Sequence, residues 1–266
     1  MEILSFKIRG KLAHFRKYYA NNTAFSFTIP PRTTLMGIVA AILGLDRDSY
    51  YEKLSSSNIN FSVRILVPLK KSFHRLNFLS IKSLGDMSKS LSSDFRGDGG
   101  RIQTPFEIVS GLDITKDEVR YQIFIMPKES GIEIYNEIRN RLINSGSFYN
   151  ISLGTANFSA NIYEVEVFNK ERINYIESSE YVLISSVIPS SIVTELKFIR
   201  EEYGNYNFIE EDMMPGDFKE DMNREVTKMN RLLFSTTNYP LRVKLNKGYY
   251  ELKMNEETIN IQFMDL

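Results

Sequence analysis

Hydrophobic and polar residues alternate at the start of the chain. In Glu2–Leu12 the apolar side chains fall mostly on one parity, and Lys7, Arg9 and Lys11 occupy the other. Successive side chains of a β-strand point to opposite faces, so this pattern predicts a half-buried strand with a basic outer face. Further strand patterns occur at Ile59–Leu69, Glu118–Met126 and Phe148–Phe168.

The segment after the first strand has the pattern of a buried helix. Leu35–Leu45 is almost entirely apolar and follows two prolines, which hold the preceding backbone extended. We therefore predict a helix that packs against a sheet and begins at an N-cap residue, Thr33 or Thr34. The pattern predicts that the helix continues beyond Gly44 through Ser49–Leu54.

A second helix is predicted at Ile132–Ile143, where apolar residues recur at helical spacing. The element order is then β-α-β-β-α-β, which is the ferredoxin-like arrangement of an α+β domain over residues 1–168. Residues 70–115 interrupt the two middle strands, which should be neighbours. This insertion predicts a long protruding hairpin, or thumb, with stems at Phe73–Leu79 and Arg101–Ile108.

Residues 169–266 are predicted to form a small, mainly β C-terminal domain. Strand patterns occur at Tyr181–Pro189 and Thr258–Met264, and Asn246-Lys247-Gly248 indicates a hairpin between two further strands. Residues 195–225 contain ten acidic and four basic side chains. That segment is either a solvated loop, which is the simpler interpretation, or a surface for a partner.

Composition excludes several classes of protein. With 42% hydrophobic and 25% charged residues, the chain has the composition of a folded globular protein. It has no cysteine, which excludes disulfides and thiolate chemistry, and two histidines are too few for a three-histidine metal site. We therefore expect no cofactor and no metal. The longest apolar run has 11 residues and the N-terminus does not resemble a signal peptide, so we expect a cytoplasmic protein without membrane contact.

The net charge of zero conceals an asymmetry. Residues 1–126 contain 18 basic and 11 acidic side chains, whereas residues 127–266 contain 15 and 22. This difference is either a fluctuation along the chain or the mark of an N-terminal half that faces a polyanion. For the second interpretation nucleic acid is favoured over a membrane, because no basic amphipathic helix accompanies the charge.

Several segments resemble a known family. These segments are SFTIPPRTTLMGIVAAILGL at 26–45, HRLNFLSIKS at 74–83, RIQTPFEIV at 101–109, RYQIFI at 120–125 and ISLGTANFSANI at 151–162. They are similar to the CRISPR-associated RAMP-superfamily subunit that binds the crRNA 5′ handle in type I Cascade. The similarity is greatest to the I-B branch of that family. The resemblance implies an RRM-related domain with a thumb. It also implies contacts with the crRNA 5′ handle, the major backbone subunit and the large subunit, and indirect contact with target DNA.

The candidate RNA-binding residues form four groups. Each could instead be an ordinary core or solvated residue, and for the helix start the residues alone favour a capped helix with a solvated arginine, whereas the resemblance favours a phosphate site. Helix N-termini and arginine bind phosphate, and aromatic residues interleaved with cations hold single-stranded nucleic acid. The groups are Arg32, Thr33 and Thr34 at the helix start; Arg16, Lys17, Tyr18 and Tyr19 in the preceding loop; Lys7 and Arg9 on the first strand; and Lys70, Lys71, Arg75, Asn77, Arg101 and Gln103 on the thumb stems.

Catalysis is the open alternative. Metal-independent cleavage of RNA needs a general base and acid near the 2′-hydroxyl, and the chain offers His14 and His74 together with lysines and tyrosines. Neither histidine lies in a recognisable catalytic pattern. We therefore predict a non-catalytic RNA-binding subunit, with a metal-independent endoribonuclease that processes CRISPR repeat RNA as the alternative.

Overall fold

The computed structural model describes residues 1–20, 23–79, 101–198, 208–219, 224–255 and 257–265. These residues form a mixed α/β structure with many strands and few helices. The helices are α1 Arg32–Leu43 and α2 Ile132–Asn144. The strands are β1 Ile3–Gly10, β2 Phe15–Arg16, β3 Ser26–Phe27, β4 Ile59–Ile65, β5 Leu69–Leu79, β6 Arg101–Gly111, β7 Val119–Pro127, β8 Ile151–Ser152, β9 Ser159–Phe168, β10 Ile173–Ile176, β11 Val182–Ile184, β12 Ile188–Pro189, β13 Val193–Lys197, β14 Ile209–Phe218, β15 Val226–Ser235, β16 Leu241–Leu245, β17 Tyr249–Lys253 and β18 Thr258–Ile261.

The central sheet contains the four long strands predicted for the first part of the chain. Its order is β4-β7-β1-β9-β8, and every neighbouring pair is antiparallel. Helix α1 follows β1, and helix α2 follows β7. None of the helices in the described part of the chain is long and apolar enough to cross a membrane.

The limits of α1 differ from the prediction. Pro31 occupies the N-cap position and neither threonine caps the helix with its side chain. The helix ends before Gly44, which adopts a left-handed conformation with φ +79° and whose N–H donates to the carbonyl oxygen of Ala40. Glycine reaches this conformation without a steric penalty, so the chain leaves the helix here and Ser49–Leu54 forms turns instead.

The predicted division at residue 168 runs through a shared core. The main core cluster contains Phe6 and Val39 from the first part, and Met214, Leu232 and Met264 from the second. On the opposite face of the central sheet, a separate cluster joins that sheet to strands of the second part; its members include Ile3, Phe124, Phe168, Leu252 and Ile261. The C-terminal strands therefore cover both faces of the N-terminal part rather than standing apart from it.

The acidic segment is not a plain loop. Residues 209–218 form β14, which pairs with β15 in a long antiparallel hairpin from Ile209 opposite Ser235 to Phe218 opposite Val226. Its carboxylates contact N-terminal cations: Asp212 pairs with Lys17, and Glu210 lies 3.4 Å from the Nζ of Lys71. Residues 199–207 and 220–223 of this segment lie outside the described part.

The two segments predicted as thumb stems lie in paired strands. Strands β5 and β6 pair over eleven residues, from Leu69 opposite Gly111 to Leu79 opposite Arg101, in a two-stranded sheet of their own. Isolated bridges from Ala13 and Ala24 to β6 attach the base of this hairpin to the loop after β1. The predicted tip, within residues 80–100, lies outside the described residues.

Candidate nucleic-acid interface

A cleft of about 740 Å³ follows the outer face of α1. Helical spacing places Thr34, Gly37 and Ala41 on one face of α1, and these small residues form its floor. The other lining residues come from distant parts of the sequence: Arg16 and Tyr18 from the loop after β1, Tyr50 and Tyr51 from the turns after α1, Asn150, Ser152 and Thr155 around β8, and Phe218 and Arg224 from the β14–β15 hairpin.

The side chains around the cleft combine aromatic rings with cations. Tyr18 is 55% exposed and lies edge-to-face with Tyr19 at 5.1 Å between ring centroids. Arg16 is exposed and is held by a weak 3.4 Å hydrogen bond to the carbonyl oxygen of Ala20. Arg224 lies 3.0 Å from a carboxylate oxygen of Asp48, which also accepts a hydrogen bond from Tyr51. The cleft therefore offers ring faces and two guanidinium groups to a ligand.

The start of α1 opens into this cleft through Pro31, Thr33 and Thr34. The first turn of a helix carries backbone N–H groups without helical acceptors and the positive end of the helix dipole. Thr33 is buried and Thr34 is half-buried, and both line the cleft. The structure thus brings the two threonines together with Arg16 and Tyr18.

Arg32 does not belong to the cleft, which corrects its prediction as a phosphate ligand. Its side chain is fully buried. The Nε atom donates to Asp265 at 2.8 Å and Nη1 donates to Asp217 at 2.8 Å. Nη2 donates to the carbonyl oxygens of Leu54 and Ile59 at 2.9 and 2.7 Å. With its donors engaged inside the protein, Arg32 joins α1 to the β14–β15 hairpin and to the C-terminal segment.

Lys17 also serves an internal contact. It pairs with Asp212 of β14 and lies 5.0 Å from the ring centroid of Phe27, and its side chain is largely buried. Tyr19, in contrast, is exposed beside Tyr18. Part of the N-terminal basic excess is therefore balanced by carboxylates of the C-terminal half, and it does not all face a polyanion.

Lys7 and Arg9 lie away from the cleft. They project from the face of the central sheet opposite to Phe6 and Ile8, which pack with the helices. Lys7 pairs with Glu164, and Arg9 lies 3.9 Å from Glu118 and 5.2 Å from the ring centroid of Tyr163. They do not line the cleft with the other candidates.

The hairpin arranges its candidate residues on two faces. Arg75, Asn77 and Gln103 are exposed and share a face with Phe73, which is 55% exposed and lies 5.6 Å from the ring of Phe25. Lys70, on the other face, donates to the carbonyl oxygen of Leu112, and Lys71 contacts Glu210. The side chain of Arg101 lies outside the described part.

His14 lies at the cleft and is buried. Its Nδ1 lies 2.7 Å from the carbonyl oxygen of Glu107 and must donate to it, because a carbonyl only accepts. The ring stacks on Phe106 at 3.9 Å. Burial lowers the pKa of His14, against the opposing effect of the Glu107 hydrogen bond. His74 is exposed and contacts Ser72 at 3.1 Å.

This burial predicts a pH dependence of stability. The pKa of His14 is lowered from 6.5 in the folded protein, so the unfolded chain binds the proton more tightly. The free energy of unfolding should therefore fall below pH 6.5, by up to about 1.4 kcal/mol per pH unit. His14→Asn, which keeps a donor for Glu107, should flatten this slope in urea titrations between pH 7.5 and 5.5. The exposed control His74→Gln should keep it, and an unchanged slope in His14→Asn would contradict the assignment.

The sequence did not reveal Tyr50, Tyr51, Phe218 and Arg224 as cleft residues. Nothing in the local pattern separates two tyrosines in a turn, or one arginine in an acidic segment, from surface residues. Only the packing of α1 against β14 brings them together. Among the described residues no group of three or more histidine, aspartate or glutamate side chains could hold a metal ion.

Comparison with known proteins identifies the family. Residues 3–230 match the family model described as CRISPR-associated protein (Cas_Cas5). The chain belongs to the Cas5 family. A crystal structure of a CRISPR protein from Archaeoglobus fulgidus has the same fold, with a TM-score of 0.54 and 13% identity over 98% of this chain and 99% of that one.

A second structure, of a CRISPR RNA-guided surveillance complex, matches with a TM-score of 0.49 and 14% identity over 89% of this chain and 91% of that one. The comparison with curated protein sequences finds no match. The resemblance noted in the sequence is thus confirmed at the level of the Cas5 family, which covers both parts of the chain up to β15.

Proposed function

We propose that this Cas5 family chain is the non-catalytic subunit that binds the crRNA 5′ handle in a type I Cascade complex of the I-B branch. The cleft along α1 carries the proposal, because it combines the exposed ring of Tyr18, two arginines and the first turn of a helix. Stacking on aromatic rings and charged contacts to phosphates are the means by which proteins hold single-stranded RNA. The four long strands lie in the sheet in the order β4-β7-β1-β9, which are the second, third, first and fourth of them along the chain. This order supports a ferredoxin-like, RRM-related domain.

The hairpin supports the assembly role. A two-stranded sheet with exposed Phe73, Arg75, Asn77 and Gln103 on one face offers more apolar and polar contact than a solvated loop requires. We propose that this face contacts the major backbone subunit together with its RNA. The large subunit is the second protein partner, target DNA is contacted indirectly, and the complex works in the cytoplasm without a membrane.

A double variant tests the cleft. Arg16→Gln with Tyr18→Ala should weaken binding of a labelled, handle-length RNA about 100-fold, because it removes one charged contact and one stacking platform. The control Arg231→Gln with Tyr175→Ala changes an exposed arginine and an exposed tyrosine of the C-terminal strands. It should bind like the unaltered protein. Equal losses in both variants, or no loss in either, would contradict an RNA site in the cleft.

The same assay distinguishes binding from cleavage. CRISPR repeat RNA incubated with excess protein in EDTA should keep its length, because Nδ1 of His14 is held by Glu107 and His74 is not among the residues that line the cleft. Site-specific cleavage that is lost in His14→Ala or His74→Ala would establish the endoribonuclease instead.

A further inference from the structure

The outer face of the sheet β11-β16-β13 carries a second concentration of positive charge. The inner face packs on its own core through residues such as Val182, Ile184, Leu241 and Val243. The alternation of side chains therefore turns Arg242 and Lys244 of β16, and Lys197 of β13, outward. All three cations approach the ring of Tyr181, at 5.6, 4.8 and 4.1 Å from its centroid respectively.

Two of these cations lie directly opposite each other in the sheet. In the register of the sheet, Lys197 is directly opposite Arg242. Glu195 is opposite Lys244, pairs with it at 3.0 Å and also accepts a hydrogen bond from Tyr181. Among the described residues Lys197 and Arg242 form no ion pair of their own, although Glu195 also attracts Lys197 electrostatically. Like charges directly opposite on a sheet are destabilising, so folding alone does not explain the pair.

The central sheet offers an internal comparison. There Arg9 lies directly opposite Arg120, the same arrangement of like charges on an exposed sheet face. Glu118 lies beside both, 3.9 Å from Arg9 and 3.4 Å from Arg120, and supplies the missing negative charge. At Lys197 and Arg242 the nearby carboxylate, Glu195, already pairs with Lys244, so the described residues leave an excess of positive charge on this face.

We propose that Lys197 and Arg242 form a phosphate-binding pair that holds the backbone of a single-stranded nucleic acid outside the cleft. A guanidinium and an ammonium side by side can donate to the non-bridging oxygens of one phosphodiester. Phe198, which follows Lys197 and is 72% exposed, and Leu183, which is opposite Arg242 and 46% exposed, flank the pair with apolar surface. Unstacked bases can contact such surface, whereas the bases of a duplex cannot.

The site is separate from the proposed handle-binding cleft, whose lining contains none of these residues. A strand that continued from the cleft, or a second strand in the complex, could each supply the same phosphate chemistry. The choice of single-stranded over duplex nucleic acid rests on the flanking apolar side chains.

The test compares two charge-matched double variants of the full chain. Lys197→Gln with Arg242→Gln should weaken binding of a 20-nucleotide oligouridylate about tenfold at low salt. It should also reduce the slope of log K against log salt by about 0.7–1.4, because one or two phosphate contacts are lost. The control variant, Lys116→Gln with Arg120→Gln, removes the same charge from two cations that form ion pairs with carboxylates. It should change neither the affinity for oligouridylate nor the salt slope.

Three further measurements complete the experiment. The melting temperature of the Lys197→Gln, Arg242→Gln variant should equal or exceed that of the unaltered protein, because the repulsion is relieved. Phe198→Ala should weaken oligouridylate binding while the salt slope stays the same. A 20-base-pair DNA duplex should lose no affinity in either double variant.

Several results would overturn the proposal. Equal loss in the two double variants would mean that only net charge matters, and no loss in the Lys197→Gln, Arg242→Gln variant would leave the surface to an acidic protein partner. A loss for the duplex that matches the loss for oligouridylate would contradict a single-strand site. Loss of handle binding confined to the Arg16→Gln, Tyr18→Ala variant bears on the cleft alone, so the failure of one site is distinguishable from the failure of the other.

Discussion

Replacement of Arg32 by alanine is expected to lower the free energy of unfolding by about 3–5 kcal/mol, because it leaves buried carboxylates without their partner. Asp265 is fully buried in its side chain and Asp217 nearly so, and both contact the guanidinium at 2.8 Å. Two backbone carbonyls lose their donor at the same time. Urea titration followed by circular dichroism measures the loss.

A surface arginine provides the control for Arg32. Arg231 pairs with Glu211 at 2.7 Å, but its side chain is 63% exposed. Arg231→Ala should therefore cost less than about 1 kcal/mol. If Arg32→Ala were as stable as Arg231→Ala and bound RNA more weakly, Arg32 would be a ligand of RNA and not a buried structural residue.

Replacement of Gly154 by alanine is the second change with a large expected effect, about 3 kcal/mol. Gly154 has φ +97°, and a Cβ atom at this position would overlap the carbonyl oxygen of His14. The two segments cross closely, since the N–H of His14 donates to the carbonyl oxygen of Leu153 at 3.0 Å. The substitution thus adds a steric clash to the strain of a left-handed backbone.

Gly146 separates these two costs. It also has a left-handed backbone, with φ +69°, but nothing lies within 4 Å of its virtual Cβ. Gly146→Ala should cost only about 1–2 kcal/mol, the penalty of the backbone conformation. Equal melting temperatures for the two alanine variants would show that the segments at His14 and Gly154 can move apart without cost.

The sequence predicted the elements of the first part because their patterns are local. Alternation in β1 and helical spacing in α2 are visible within a dozen residues, and the thumb stems follow from an interruption between two such patterns. The end of α1 was predicted incorrectly, because an apolar run does not show that Gly44 adopts a left-handed conformation.

The candidate site was only partly predictable, for a physical reason. Arg16, Tyr18, Thr33 and Thr34 lie in two nearby segments, and the fold brings them to one cleft. The role of Arg32 depended on Asp217 and Asp265, which are separated from it by 185 and 233 positions. No pattern around an arginine shows whether distant carboxylates will surround it. The charge of the acidic segment favours a solvated loop, whereas Asp212 and Glu210 contact cations from distant parts of the sequence.

The contact between Arg32 and Asp265 has a consequence for the order of events during synthesis. A ribosome produces the helix and the central strands long before residue 265 leaves it, so the newly made first part holds an arginine whose carboxylate partners do not yet exist. Burial of that guanidinium without carboxylates is costly, and contacts between residues so far apart in sequence form late. The growing chain must therefore keep this part of its interior open until Asp265 has been made, and chaperones that shield apolar surface would act in that interval.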